Sequence, residues 1–325
     1  MNDAQARLIL ERFPEPLHSG RLVALGNRGG FSGARLWRVD TASASWCLRA
    51  FPTNGPSRMQ LATIHRWLTR AHAAGLAFVP EVACSRDGET CLASAGRVCD
   101  LTRWLPGRAD FHDQPSLERM QAACTALASL HLSWNPLAQP GPMPAIERRL
   151  ALLRDWEKLA ARGRHATSFP DPIGAWLDRG RRVVTGQIEA LRARLLPMRG
   201  RNVPLQPCLA DIWHAHVLFE GNVVTGLIDH GSARLDHVAT DLARLLGSLA
   251  GNDPHLRHAG LSAYQRLRPL GLEEEQLVTL LDESGAVLGI VNWLKWLVVE
   301  ERPFEDRAAV ERRLREVVER AEGLV

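Results

Sequence analysis

The sequence predicts an α+β chain in two lobes, a β-rich N-terminal one over residues 1–104 and a mostly helical C-terminal one over 105–325. Three observations carry this expectation. Short apolar or alternating runs, punctuated by glycine and proline, fill the N-terminal part, the pattern of strands with tight connections. Beyond Gly107 the apolar residues recur at helical spacing, as Ile146, Leu150, Leu153 and Trp156 illustrate. One pair of β-rich runs, Val217–Phe219 and Val223–Ile228, interrupts those helices around Gly221-Asn222, a tight-turn pair.

Taken in order, MNDAQARLILERF reads as an amphipathic helix rather than a signal peptide, because acidic and amide residues sit among its apolar ones. Arg21–Leu25 is a predicted strand, followed by the glycine-rich turn GNRGGFSG at 26–33 and by strands at Arg35–Val39 and Trp46–Phe51. Pro52–Ser57 is a loop and Arg58–Ala74 a helix closed by Gly75. Two short strands fit around Glu81–Cys84 and Thr90–Val98, and Leu101–Gly107 reads as a connector. Helical spacing then covers Pro115–His131, Ala145–Arg162 and Ile173–Leu195. After the hairpin it resumes at Thr240–Ala250, Pro254–Arg268, Leu272–Leu281, Ala286–Val299 and Phe304–Ala321.

Composition narrows the classes. The chain is 46% hydrophobic and 23% charged, an ordinary globular balance. No apolar stretch approaches bilayer-spanning length, so no membrane partner is expected. The six cysteines form no C-x-x-C pair, which suits reduced thiols in a cytoplasm. The net charge of +4 is spread without basic runs, and the ten tryptophans sit in apolar patterns. A nucleic-acid binder would carry a basic stripe with interleaved aromatics, so that partner is not expected either.

The chemistry gathers at the interrupting hairpin. Asp211 and Asp229 flank it, and antiparallel pairing returns Asp229 to the level of His214 and His216. Carboxylates and imidazoles at one end of a rigid ribbon make a place to hold a divalent metal and an acid–base group.

Leu209–Leu218, LADIWHAHVL, resembles the H-G-D-L-H-P-G-N-V-L segment of the aminoglycoside phosphotransferase and choline-kinase-like family of small-molecule kinases. Trp213 adds a fructosamine-kinase-like feature. Ile228-Asp229-His230-Gly231 is similar to the family's I-D-F-G, and Asp241-Leu242-Ala243 to its D-L-A. The resemblance runs from about Arg21 to the last helices. It implies a protein-kinase-like bilobal fold, ATP and Mg²⁺ as cofactors, and transfer of the γ-phosphate to a hydroxyl or amine of a small-molecule substrate. In it Asp211 is the catalytic base and Asp229 a metal ligand. Gly29, Gly30, Ser32 and Arg49 meet the nucleotide phosphates, and the connector offers its backbone to adenine. Asp241 serves as an N-cap or brace, and His131 is structural.

The chain also departs from the pattern. His216 replaces an asparagine that ligates metal; as a ligand, its imidazole suits Mn²⁺ or Zn²⁺ better than Mg²⁺. Leu209-Ala210 replace His-Gly. The glutamate that should pair with the strand cation is missing from Arg58–Ala74, where Gln60 and His65 are the polar replacements. Two other readings stay open. One is a catalytically impaired, pseudokinase-like binder of a nucleotide or metabolite. The other is a zinc site at Asp211, His214, His216, Asp229 and His230 that activates water. Asp282, Glu283, Trp293, Trp296, Glu300 and Glu301 form either an acidic acceptor wall or the solvated face of an amphipathic helix.

Overall fold

Alternating side chains build the first sheet. In β2 (Arg35–Asp40) and β3 (Ser45–Ala50), Trp37, Val39, Trp46, Leu48 and Ala50 turn to one buried face. With β1 (Arg21–Gly26), β4 (Cys91–Ser94) and β5 (Arg97–Arg103) they form an antiparallel sheet in the order β1-β2-β3-β5-β4. The structure, a computed structural model, describes residues 1–26, 33–161, 172–304 and 306–324. Gly29, Gly30 and Ser32 of the glycine-rich turn lie outside the described residues.

Each face of the sheet takes a helix. α1 (Asp3–Leu10) starts with an Asn2–Gln5 capping box and lays Ala6, Ile9 and Leu10 on Trp37, Val39 and Leu48. α2 (Arg58–Ala73) starts with a Ser57–Gln60 capping box and packs Leu61 against Phe51 and Cys91, on the side to which Arg49 points. Trp134 at the end of α3 (Leu117–Trp134) donates its indole N–H to the Trp67 carbonyl at 2.9 Å, tying α3 to α2. The strand expected at Glu81–Cys84 reduces to a single bridge, Val82 with Thr102, and the expected connector begins inside β5.

Contacts group residues Met1–Pro136 with Leu209–Arg234 in one compact unit, and Leu137–Cys208 with Leu235–Val325 in a second. The first unit thus holds α3 and the Asp211–Asp229 hairpin together with the sheet, a grouping different from a cut at 104/105. The second contains α4 (Pro144–Ala161), α5 (Ile173–Leu195), α6 (Ala239–Ala250), α7 (Pro254–Leu267), α8 (Leu272–Leu294) and α9 (Arg307–Glu322). At its centre α8 packs on α4, α5, α6 and α9.

Three features of the second unit depart from expectation. A small sheet of β6 (Gln139–Pro142), β7 (Asn202–Cys208) and β10 (Arg234–Asp236) was not foreseen, since β6 and β7 each carry two prolines, which argue against strands. The two helices expected at Leu272–Leu281 and Ala286–Val299 are one, running through Asp282–Gly285 and ending in a π-helical turn at Lys295–Val299. Its polar insert survives burial because Ser284 Oγ donates to the Leu280 carbonyl and accepts from Arg149 Nε. This corrects the expectation of no bilayer-length apolar stretch, since Leu272–Val299 qualifies by length and composition, although 67% of its apolar 18-residue window is buried inside the protein, as in a core helix. Finally, Asp241 is not an N-cap. It is buried in the first turn of α6, and Val238 holds the cap position.

Candidate active site

The predicted hairpin is present. β8 (Val217–Glu220) and β9 (Val223–Leu227) pair antiparallel around Gly221-Asn222, with Gly221 at φ +57° as the tight turn requires. Pairing continues one step past the strands, where the Ile228 N–H donates to the His216 carbonyl at 2.9 Å. That step sets Asp229 beside His216. Two non-glycine residues on this loop pair, Ala210 at φ +64° and Asp229 at φ +59°, occupy the left-handed region, which Asp tolerates better than most. Such local strain is common where a site fixes its side chains.

The ribbon is stapled to the segment that follows β5. Arg108 and Phe219 exchange backbone hydrogen bonds of 3.0 and 2.9 Å, and Thr225 Oγ1 donates to the Pro106 carbonyl at 2.7 Å. Gly107 lies between them at φ +99°, where a Cβ would meet Thr225 Oγ1 at 2.3 Å.

A line of polar contacts leads from Asp211 to α2. The half-buried Asp211 accepts from His216 Nδ1 through its backbone carbonyl at 2.9 Å. Trp213 Nε1 donates to His216 Nε2 at 2.8 Å, which assigns His216 as the neutral Nδ1–H tautomer. Its Nε2 stands 3.5 Å from Asp229 Oδ2, with the lone pair already engaged by the indole. Asp229 Oδ1 accepts from Arg49 Nη1 at 2.8 Å. Arg49 also spans Asp100, from Nε at 3.3 Å and from Nη2 at 3.1 Å, and stacks over Phe51 at 4.4 Å. Asp100, fully buried on β5, is directly opposite Arg49 in the register, and its Oδ2 accepts from His65 Nε2 of α2 at 3.2 Å.

The electrostatics follow from this geometry. Burial pushes the Asp100 carboxyl up, but the charge of Arg49 and the His65 hydrogen bond outweigh it and hold the group down at about 2. Burial works against the Arg49 cation, yet Asp100 and Asp229 raise its pKa overall. His230 is buried, its Nε2 has no hydrogen-bond partner, and burial together with the nearby Arg49 pushes it down to about 3, so it is neutral. Gly231 beside it is required, because a Cβ there would come within 2.6 Å of Phe51 Cε1.

Asp211, Asp229, His216 and Arg49 therefore gather in the first unit. Asp100 is the residue that sequence reasoning missed; its signal was a lone acid in the apolar run Val98–Leu101. Of the two polar candidates on α2, His65 reaches the network through Asp100, whereas Gln60 completes the helix cap. His214 packs edge-on between His112 and Trp213, at ring distances of 4.2 and 4.5 Å. Among the described residues, no three of Asp211, His214, His216, Asp229 and His230 bring ligand atoms within 4.8 Å of one another, so they form no preassembled zinc site. In the second unit the acids expected to line an acceptor wall are largely taken up by arginine: Asp282 by Arg257 and Arg320, Glu283 by Arg194, Glu300 by Arg302.

The donor set fits a hard divalent cation at Asp229. One guanidinium serves two carboxylates there, and the Asp229 side chain is still 39% exposed. His216 offers such an ion no uncommitted nitrogen in this arrangement.

The fold is protein-kinase-like, an antiparallel N-terminal sheet with a helical C-terminal part. The chain belongs to the phosphotransferase enzyme family, whose pattern matches residues 24–276. A homoserine kinase of Rhodopseudomonas palustris is 28% identical over 229 residues, 68% of this chain. The match takes in 64% of that kinase, so the chain spans just under two thirds of such a relative's length. Among solved structures, a microcompartment-associated aminopropanol kinase superposes with a TM-score of 0.64 at 16% identity, covering 99% of this chain and 95% of the other. An amicoumacin kinase in complex with AMP-PNP and Ca²⁺ gives 0.63 at 15% identity, covering 98% and 94%.

Proposed function

We propose that the protein is an ATP-dependent small-molecule kinase that moves the γ-phosphate to a hydroxyl or amine of a small polar metabolite. The observation that supports this reading is the grouping of Asp211, His216, Asp229 and Arg49, with His216 bonded to the Asp211 carbonyl and 3.5 Å from Asp229, and Asp229 bonded to Arg49; these are the candidate base, metal-binding carboxylate and phosphate-binding cation. Asp211 orients the acceptor hydroxyl and takes its proton as the new P–O bond forms and the bond from the γ-phosphorus to the bridging oxygen breaks. Arg49 meets phosphate charge with a planar, permanently charged fork. His216 and Trp213 hold the Asp211 loop in place through the Asp211 carbonyl. Mg²⁺ held by Asp229 would supply charge neutralisation of the phosphates. A small amino alcohol is the acceptor class suggested by the homoserine and aminopropanol kinases among the similar proteins. A reducing cytoplasm suits the six free cysteines.

The test is ATP-dependent phosphorylation of a metabolite pool enriched in amino alcohols, read by mass spectrometry. Asp211→Ala should retain ATP binding and lose roughly a thousandfold in transfer rate; transfer within tenfold of wild type would remove Asp211 from the chemistry. A second reading, nucleotide binding without transfer, is favoured by the committed nitrogens of His216. It prevails if the wild-type protein binds ATP with Mg²⁺ and phosphorylates nothing, and if His216→Asn then gains activity.

A further inference from the structure

We infer that Asp100 and His65 are the positioning pair for Arg49, a carboxylate on strand β5 held by a histidine on α2 in place of the helix-borne glutamate that kinases of this fold use to orient their strand cation. The inference rests on the kinase reading above and adds two residues to it. Register comes first: Asp100 lies directly across from Arg49, so the carboxylate and the guanidinium share a face of the sheet without any help from α2. Geometry comes next. Nε and Nη2 of Arg49 address the two Asp100 oxygens, which fixes the plane of the guanidinium and leaves Nη1 directed at Asp229. Burial makes the arrangement strict. Asp100 and His65 are 0% and 1% exposed, so the carboxylate has no water to fall back on and His65 is its link to the helix. Phe51 closes the guanidinium face at 4.4 Å.

The consequence is a division of labour within one side chain. Two nitrogens of Arg49 are anchored, and the third is the donor that serves Asp229 or an incoming phosphate. Without Asp100 the guanidinium would have Asp229 as its remaining carboxylate in this network and would turn wholly toward it.

The experiment measures ATP affinity by calorimetric titration of the full chain with divalent ions chelated, alongside KM for ATP and kcat with Mg²⁺. Each variant is checked by thermal melting. Asp100→Asn should weaken metal-free ATP binding about 10-fold or more, the loss expected for an impaired charge-assisted contact. In an Arg49→Met background the same substitution should add less than 2-fold. Moving the acid to the helix, with Asp100→Asn and His65→Glu together, should recover most of the affinity, whereas His65→Gln in the Asp100→Asn background should not. Asp100→Glu covers the case in which Asp100→Asn does not fold, and it should keep binding within a few-fold. Folded Asp100→Asn with wild-type affinity, additive losses with Arg49→Met, or a helix acid that restores nothing would each overturn the inference. A wild-type chain that binds no ATP under any condition would instead overturn the kinase reading on which it rests.

Discussion

Buried carboxylates are treated in opposite ways in the two compact units. In the second, three acids each meet two or more donors. Asp282 is met by Arg257 and Arg320, and Asp236 by Arg148 with the backbone N–H groups of Ala145 and His237. Glu274 is met by Arg268 and His237 and held down at about 2 against its burial. In the first unit the ratio is reversed, for Asp100 and Asp229 divide one guanidinium. Such donors offset the cost of a buried charge, fully at Glu274 and only in part at Asp282, whose carboxyl burial still pushes up against both arginines. Excess anion leaves a charge to be met by something else, and Asp229 is the partly exposed member of its pair. The difference separates acids whose partners all come from the fold from an acid that shares its cation and still meets solvent.

The sharpest way to break this contrast is Asp229→Asn. Asparagine suits the left-handed backbone at this site, so the melting temperature should be unchanged or higher. The phosphotransfer rate should fall on the order of 10²–10³-fold. A large drop in melting temperature would place Asp229 among the structural acids.

Asp282→Ala is the converse. Removing that carboxylate takes the shared acid from Arg257 and Arg320, which sit 27% and 14% exposed, and urea unfolding should register a loss approaching about 3 kcal/mol, the low end for breaking a buried pair. ATP affinity of the protein that remains folded should stay at the wild-type value. A cost under about 1 kcal/mol would dissolve the distinction drawn for the second unit.

Asp100 gives the smallest effect and the one with a pH signature. Its folded pKa of about 2 lies below its ordinary value of 3.8, so its ion pair contributes fully above 3.8 and is lost as the pH falls toward 2. The stability gap between wild type and Asp100→Asn should therefore be about 2 kcal/mol near neutrality and should close through that acid window. Urea titrations at pH 5 and pH 2.5 measure it; a gap that does not narrow would show that the Asn variant is destabilised for other reasons.

The sequence made the hairpin legible because two β-rich runs around Gly-Asn leave little choice of register, and with it the meeting of His216 and Asp229. The helices on an apolar stripe were equally readable. Asp100 was not, because strand-to-strand register is a tertiary fact: nothing in RVCDLTR says that Arg49 lies across from its acid. The helix Arg58–Ala74 carries no glutamate, and its His65 meets Asp100 of β5, a contact that helix periodicity alone does not reveal. The β6–β7 pairing was hidden by prolines, and the continuity of α8 through Asp282–Gly285 by polar residues whose partners come from Arg149, Arg257 and Arg320. Short-range pattern fails in each case where a distant side chain satisfies a group that locally looks like a stop.

The bonds joining Pro106–Arg108 to Phe219 and Thr225 make the hairpin and the segment after β5 one mechanical piece. Gly107 leaves no room there for a side chain, so the segment after β5 sits directly on the strand pair whose open end carries Asp229.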